Sequence, residues 1–488
     1  MADHTAYHTA TDLLGALAAR RATSVELVEA AIARIEAGDG RLSAVVVRDF
    51  ERARAAAAAA DAALAKGERR PLLDLPMTVK ESFNVEGLPT SWGYPQFRDW
   101  RPPADSLAVE RLKAAGAIVL GKTNVPLALA DWQSYNDIYG VTNNPWDLAR
   151  TPGGSSGGSS GGAAAALAAG FVPLELGSDI GGSLRCPAHF CGVFAHKPSL
   201  DLVPSRGAGP PGTPALPFPP DLAVLGPMAR SAADLALALD VLAGPDPWSQ
   251  GIGYRLDLPP PQHQRLADYR VLLLDAHPLC PTAGDVTTAL RRLGDRLADC
   301  GCRVDRQGPA LPDLESTTRT YQELLAAFFA VDMPAEMRER LIATLQSSSP
   351  AAHSLTAARL RGFAISHRDW VLTGRIRAGL RQRWQSLFEE VDVVLCPPMP
   401  TVAFRHEHAP QRDRRLDIDG RSVAYNDQIA WSGIATLTGF PATVAPIDRS
   451  ADGLPIGVQI VGGYLEDRTT IAFAGLLEAE FGGFTPPP

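Results

Sequence analysis

Serines set among glycines are the residues of this chain best suited to chemistry. They lie in residues 151–199, where a Gly/Ser loop precedes an alanine-rich helix at 163–169, a short apolar run at 172–176 and the motif GSDIGGS. Glycines allow backbone amides and hydroxyls to approach a ligand closely. A flexible linker of this composition would join two domains, whereas this loop runs directly into a helix and a strand. The sequence therefore predicts a functional site here.

A lysine inside an apolar run is the second unusual feature. The stretch LPMTVKESFNV predicts a buried strand that carries Lys80, followed by Glu81. Lysines are rarely buried, and an exposed edge strand with the ammonium group in water is an equally good interpretation. If Lys80 is buried, desolvation disfavours its ammonium form and leaves an amine that can act as a base.

Serine and lysine together permit acyl transfer. A serine hydroxyl has a pKa far above 7 and needs a base before it can attack a carbonyl group. The glycines before Ser183 let successive backbone N–H groups converge on one point, as an oxyanion hole requires. Ser/Lys acyl transfer is therefore one reaction that these residues would support.

Two other motifs match by letters alone. Residues 116–123 fit the phosphate-loop pattern G-x-x-x-x-G-K-T, but their β-branched apolar middle predicts a strand where that pattern needs a loop. The Gly/Ser loop fits G-x-S-x-G twice, at 154–158 and 158–162. A nucleophile elbow needs an apolar strand directly before it, and residues 144–152 predict a loop. We therefore expect neither nucleotide binding nor a nucleophile elbow.

Composition excludes several other classes of protein. The 488 residues are 45% hydrophobic, and the net charge of −8 argues against nucleic-acid binding. No run of about 18 apolar residues predicts a membrane span, and no signal peptide is visible. Six cysteines are too few for a disulfide scaffold. No histidine or cysteine spacing indicates a metal site. We expect a cytoplasmic protein without a metal or cofactor.

The elements that must position these residues alternate between strand and helix, which predicts an α/β fold. The predicted helices are 25–37, 52–66, 106–114, 163–169, 231–242, most of 314–390 and 469–480. The predicted strands are 75–85, 117–120, 172–176, 222–228, 269–275, 391–396, 440–443 and 454–462.

Several stretches of the chain resemble the amidase signature family. They are PMTVKESFNVEGLPTSWG, GAIVLGKTN, YGVTNNPWD, GGSSGG with LGSDIGGSLRCPAHFCGVFAHKPS, LAVLGPMARSAADL and LPIGVQIVGG. The resemblance covers nearly the whole chain, is most specific at 144–199 and is weakest across 245–390.

The resemblance implies a single domain over residues 1–488. Its central mixed β-sheet would be flanked by helices on both faces. Residues 1–68 would form N-terminal helices and residues 69–245 the catalytic core. Residues 246–390 would form a variable and mainly helical segment, and residues 391–488 would supply strands and a helix that complete the sheet.

The resemblance also implies a Ser–cisSer–Lys triad. Lys80 matches the family's lysine and Ser183 its nucleophile, while the amides of Ile180, Gly181, Gly182 and Ser183 match its oxyanion hole. The substrate-binding positions implied in the same way are Leu129, Trp132, Gly157 and Gly158.

The bridging serine has two candidates because SSGG occurs twice in the loop. Counting forward from Asn144-Pro145-Trp146 leads to Ser155, and counting back from Ser183 through the helix and strand leads to Ser159. An exposed loop tolerates insertion better than a packed helix and a buried strand. We therefore predict Ser159, with a cis Gly158–Ser159 peptide bond.

The implied activity is hydrolysis of a small-molecule carboxylic amide through an acyl-enzyme intermediate. The aromatic residues of 314–390 favour an aryl or otherwise apolar substrate. Two alternatives stay open: a carbamate or ester hydrolase with the same site, and the glutaminase subunit of a tRNA-dependent amidotransferase. The resemblance is also compatible with a homodimer.

Overall fold

The strands of the described residues form one large mixed sheet of eleven strands and two small sheets of two strands each. The structure, a computed structural model, describes residues 5–147, 157–308, 310–347 and 354–488. The strands are β1 Val45–Arg48, β2 Pro76–Lys80, β3 Ile118–Thr123, β4 Tyr135–Asn136, β5 Gly140–Val141, β6 Leu174–Asp179, β7 Phe194–Lys197, β8 Val224–Ala229, β9 Arg270–Leu273, β10 Arg303–Asp305, β11 Val393–Cys396, β12 Arg415–Ile418, β13 Arg421–Ala424, β14 Ala442–Arg449 and β15 Pro455–Val461.

Helices alternate with these strands along the sequence. They are α1 Ala10–Ala18, α2 Ser24–Leu42, α3 Phe50–Ala65, α4 Leu107–Ala114, α5 Gly161–Ala168, α6 Arg185–Cys191, α7 Ala232–Leu242, α8 Gly284–Asp299, α9 Leu314–Phe329, α10 Ala335–Ser347, α11 Leu355–Phe363, α12 His367–Glu390, α13 Ala430–Thr438 and α14 Asp467–Phe481.

The strand order of the large sheet is β1-β3-β2-β6-β8-β7-β14-β15-β11-β9-β10, and the two small sheets are β4-β5 and β12-β13. Strand β2 pairs in parallel with both β3 and β6, whereas β6 pairs with β8 in the antiparallel direction. The sheet is therefore mixed, as predicted.

Each face of the sheet has its own hydrophobic core. Successive residues of a strand point to opposite faces, and β3 illustrates this because Ile118 and Leu120 join one cluster while Val119 joins the other. Helices α2, α3 and α5 cover the first face, and α4, α7 and α14 cover the second. The prediction of helices on both faces is confirmed.

The N-terminal region contains a strand that the sequence did not predict. Helix α2 begins, as expected, with a capping box between Thr23 and Glu26. The following run Val45–Arg48 is β1, which pairs antiparallel with β3 instead of continuing the helices. Its consecutive β-branched valines favour extended backbone.

The motif at 116–123 forms a strand, as predicted. Lys122 lies within β3, and its buried Nζ donates to the carbonyl of Pro89 and to Thr90 Oγ1. A residue held in a sheet ladder cannot belong to a loop that wraps phosphates.

The variable segment contributes more than helices. Strands β9 and β10 lie at one edge of the large sheet, and α9 lies against α11 and α13. Because this one sheet takes strands from residues 45 to 461, we propose a single domain with divisions near residues 68, 245 and 390. No described helix is both long enough and apolar enough to cross a membrane.

Candidate active site

Two neighbouring parallel strands bring the predicted site residues together. Lys80 is the last residue of β2, and Asp179 is the last residue of β6, with Val79 opposite Leu176 in the ladder. The carboxyl ends of parallel strands meet at the same edge of a sheet, so the loop after β6 lies beside the Lys80 side chain.

Lys80 is completely buried and contacts two serines. Its Nζ donates to Ser159 Oγ at 2.7 Å and to Ser178 Oγ at 2.9 Å. Burial lowers the pKa of the Lys80 amine to about 7, although the negative charges of Asp179 and Glu175 oppose this effect. Because β2 lies between β3 and β6, the edge-strand interpretation is wrong. An uncharged amine is therefore well populated near neutral pH.

Glu175 on β6 is a buried carboxyl close enough to influence Lys80. It accepts hydrogen bonds from Thr78 Oγ1 at 2.6 Å and from the Leu176 N–H at 3.0 Å. Burial raises the pKa of the Glu175 carboxyl to about 8 despite these bonds. The same desolvation thus disfavours the charged forms of both Lys80 and Glu175, so the pair does not hold the lysine as an ammonium ion.

Ser159 is buried within the Gly/Ser loop, two residues before α5 begins at Gly161. The Gly158–Ser159 peptide bond is cis, as predicted. The alternative bridging residue, Ser155, lies outside the described residues.

Ser183 lies on the loop that joins β6 to α6. Its carbonyl accepts a hydrogen bond from the Ser160 N–H at 3.2 Å, which ties this loop to the residue after Ser159. Ser183 is 5% exposed, and in the part of the chain that the structure describes no hydrogen bond of its hydroxyl is found. The hydroxyl is thus able to turn toward a base or a substrate.

The loop Ile180–Ser183, which we call the oxyanion loop, is held by several side chains. Tyr321 Oη donates to the Ile180 carbonyl at 2.6 Å, and Trp132 Nε1 donates to the Gly181 carbonyl at 2.8 Å. The Gly182 N–H donates to Asp179 Oδ1 at 2.9 Å. Within residues 5–147, 157–308, 310–347 and 354–488, the other three N–H groups of the loop make no hydrogen bond.

A buried ion pair between Arg185 and Asp179 lies next to this loop. Arg185 Nη2 lies 2.7 Å from Asp179 Oδ1, and both side chains are fully buried. Burial alone would raise the pKa of the Asp179 carboxyl, but Arg185 and backbone N–H groups hold it at about 2. Arg185 Nη1 also donates to Gln459 Oε1 on β15 at 2.6 Å. The loop is therefore tied to the C-terminal strands.

The predicted substrate-binding residues differ in where they lie. Trp132 is buried against the oxyanion loop, whereas Leu129 is half-buried in a 3₁₀ turn with a φ of 58°. Gly157 and Gly158 leave no room for a side chain: a Cβ would lie 2.5 Å from Pro187 Cα or 2.4 Å from the Asp131 carbonyl oxygen, respectively. These glycines are needed for close packing of the loop, and their contact with substrate stays a prediction.

Apolar and aromatic side chains surround the oxyanion loop. Ile180 packs against a cluster that includes residues of α6, α9 and the segment after β13. The cluster contains Trp132, Phe190, Tyr321, Leu324, Leu325, Tyr425 and Ile429. Among the described residues, no group of histidine, cysteine, aspartate or glutamate side chains is arranged to hold a metal ion.

The sequence interpretation missed four residues at this site. Ser178 and Asp179 lie inside the motif GSDIGGS, and Arg185 follows it by two positions, so their closeness to Ser183 was a usable signal. Tyr321 had no such signal, because it comes from the segment where the motifs were weakest.

The fold and this geometry define an α/β protein with a buried lysine–serine pair beside a glycine-rich loop. The chain belongs to the amidase signature family: the family model described as Amidase matches residues 26–471.

Similar proteins support this assignment. The chain is 34% identical over 495 residues to a glutamyl-tRNA(Gln) amidotransferase subunit of Anaeromyxobacter sp. (strain K), covering 97% of this chain and 96% of that protein. It is 33% identical to fatty-acid amide hydrolase 2-A of Danio rerio, covering 96% and 87%. A solved structure described as an amidase has 29% identity and a TM-score of 0.75, covering 97% of this chain and 100% of that one.

Proposed function

We propose that this chain hydrolyses a carboxylic amide, with Ser183 as nucleophile, Ser159 as bridging residue and Lys80 as base. The observation that carries the proposal is the 2.7 Å contact between Lys80 Nζ and Ser159 Oγ, both of which are buried. The contact lies at the carboxyl ends of β2 and β6, and the loop after β6 carries Ser183. A buried lysine with a lowered pKa is suited to accept a proton near neutral pH.

The mechanism has two halves. In acylation, the neutral Lys80 amine takes the proton of Ser159, which takes the proton of Ser183, and Ser183 Oγ bonds to the amide carbonyl carbon. The oxyanion forms against N–H groups of the oxyanion loop. The C–N bond breaks as the relay returns the proton to the leaving amine. In deacylation, the relay takes a proton from water as the water oxygen bonds to the acyl carbon. The bond between that carbon and Ser183 Oγ then breaks, the relay returns the proton to Ser183 Oγ, and the acid leaves.

We infer a small amide with an apolar or aryl group as the substrate. The aromatic cluster around Ile180 supports this class, because apolar pockets with few polar groups bind apolar ligands. The same site would also attack carbamates and esters, whose carbonyl carbons have the same geometry. The cytoplasmic location and the homodimer stay predictions.

A second candidate function is the glutaminase component of a tRNA-dependent amidotransferase. It is favoured by the 34% identity to a glutamyl-tRNA(Gln) amidotransferase chain over almost the full length of both proteins. A glutaminase site would need to recognise a charged α-amino acid, and hydrolysis of glutamine is the activity that separates this function from the first.

A panel of substrates tests the proposed function. The purified chain is incubated with an anilide, a small aliphatic amide, an aryl carbamate, an aryl ester and glutamine, and acid and amine products are quantified. We expect the anilide to be hydrolysed and glutamine to be left intact. Hydrolysis of glutamine alone would favour the amidotransferase function, and hydrolysis of the carbamate or ester without the amides would favour the other alternative.

The pH dependence of kcat/KM is expected to follow the protonation of Lys80. The ammonium form cannot accept a proton, so kcat/KM should rise with pH and level off above an apparent pKa of about 7. This apparent value belongs to Lys80 and Glu175 together, because their charges interact. The measurement is a kcat/KM profile between about pH 5 and pH 9.

The matched variant for this profile is Glu175→Gln. Glu175 is mostly protonated near neutral pH, and the share of it that is ionised raises the pKa of Lys80. Its removal should therefore move the rising part of the profile slightly to lower pH. A wild-type profile that is flat, or that falls as the pH rises through 7, would contradict the assignment of Lys80 as the base.

A further inference from the structure

The peptide groups of the oxyanion loop are fixed by side chains from distant parts of the sequence. Tyr321, on α9 of the variable segment, donates to the Ile180 carbonyl at 2.6 Å. The following peptide group is held at both ends, since Trp132 donates to the Gly181 carbonyl and Asp179 accepts from the Gly182 N–H.

The planarity of the peptide bond gives the Tyr321 contact a consequence. The Ile180 carbonyl and the Gly181 N–H belong to one planar trans peptide group and point in opposite directions. A bond that fixes the carbonyl therefore also fixes the direction of the N–H. The Gly181 N–H makes no hydrogen bond with any described residue, whereas the Gly182 N–H is already used by Asp179.

We propose that Tyr321 is a positioning residue that aims the Gly181 N–H at the oxyanion of the reaction. The proposal rests on the proposed function and deepens it. It assigns to the variable segment a role in transition-state stabilisation.

The surroundings of Tyr321 are suited to this role. Its side chain is fully buried, and its ring lies so close to α13 that a Cβ on Gly433 would be 2.7 Å from Tyr321 Cδ1. Burial raises the pKa of the Tyr321 phenol, which keeps the hydroxyl protonated and a donor. Packing against α13 therefore fixes the position of the Tyr321 ring, and the rigid ring fixes the position of its hydroxyl oxygen.

The expected effect is on kcat more than on KM. Loss of a direct oxyanion donor typically costs about 10²–10³-fold in kcat. Tyr321→Phe removes the bond that orients such a donor, together with the contacts of Tyr321 Oη with the Ser432 and Thr436 hydroxyls. We expect kcat to fall about 10- to 100-fold while KM changes less than about threefold. Phenylalanine keeps the ring packed against α13.

The test compares Tyr321→Phe with Tyr269→Phe. Tyr269 is another buried tyrosine whose hydroxyl donates to a backbone carbonyl, that of His263 at 3.3 Å, but it lies next to β9 and away from the oxyanion loop. Values of kcat and KM are measured with the anilide of the substrate panel. Binding of phenylboronic acid, which forms a tetrahedral adduct with an active serine, reports on oxyanion stabilisation.

We expect the inhibition constant of phenylboronic acid to rise by about the same factor as kcat falls in Tyr321→Phe, with Tyr269→Phe close to wild type. Melting temperatures of all variants control for folding.

The outcomes separate this proposal from the proposed function. If wild type hydrolyses the anilide but Tyr321→Phe retains its kcat, or loses kcat with unchanged phenylboronic acid binding, the role of Tyr321 is wrong and the proposed function stands. If wild type cleaves none of the amides, carbamates or esters and does not bind phenylboronic acid, both proposals are wrong.

Discussion

Replacement of Ser183 by alanine is expected to lower kcat for the anilide by roughly 10⁴- to 10⁶-fold, because no acyl-enzyme can form without the nucleophile. The fold should be retained. Ser183 is buried in a loop that Asp179, Trp132 and Tyr321 hold through backbone atoms, and within the described chain its hydroxyl supports no other group.

Labelling with a fluorophosphonate measures the same residue without a substrate. The reagent should modify wild type at Ser183, as mapped by mass spectrometry of the peptides, and should leave Ser183→Ala unmodified. Ser160→Ala is the control, since the buried Ser160 hydroxyl donates to the Ser178 carbonyl at 3.3 Å and has no part in the proposed relay. Labelling of a serine other than 183, or near-normal turnover by Ser183→Ala, would contradict the mechanism.

The same assay decides between the two bridging serines. Ser159→Ala should lower the labelling rate of Ser183 by orders of magnitude, because the relay from Lys80 is interrupted. Ser155→Ala should leave that rate within about tenfold of wild type. The reverse order of effects would assign the bridge to Ser155.

Replacement of Lys80 by methionine is expected to lower kcat/KM by roughly 10³- to 10⁵-fold, since the relay loses its only proton acceptor in the proposed mechanism. Methionine has a similar length and leaves little cavity. The control is Lys122→Met. Lys122 is an equally buried lysine on the adjacent strand β3, but it donates to Pro89 and Thr90 and not to a serine of the site.

Stability separates a catalytic role of Lys80 from a structural one. The pKa of Lys80 is lower in the folded chain than in the unfolded chain, so the unfolded chain binds more protons between about pH 7 and pH 10. Burial of Lys80 therefore costs stability, and the cost grows as the pH falls. Lys80→Met should gain more free energy of unfolding at about pH 6 than at about pH 10. Near-normal turnover by this variant would contradict the mechanism.

Much of the fold could be predicted from local patterns. The capping box at Thr23, the apolar run before Lys80 and the capped helix after Ser231 all carry their own signals, and each forms the expected element. Strand β1 could not be predicted, because four residues between two helices acquire their structure from pairing with β3. Helix α6 was also missed, since Pro187 lies within it.

The site residues that belong to short sequence motifs could be predicted. Lys80, Ser159 and the oxyanion loop come from motifs that are local in sequence. Burial of Lys80 could not be decided from its own strand, because it depends on β6 lying beside β2. Tyr321 could not be predicted at all, since its contact with Ile180 joins residues 141 positions apart.

The order of the sheet has a consequence for synthesis of the protein. Strands β14 and β15 lie in the interior of the sheet, between β7 and β11. Until Ala442 and the residues after it leave the ribosome, one edge of β7 has no partner and offers open backbone groups to other chains. Gln459, which contacts Arg185 beneath the oxyanion loop, emerges later still. We therefore expect the active site to be completed only after β14 and β15 are inserted into the sheet.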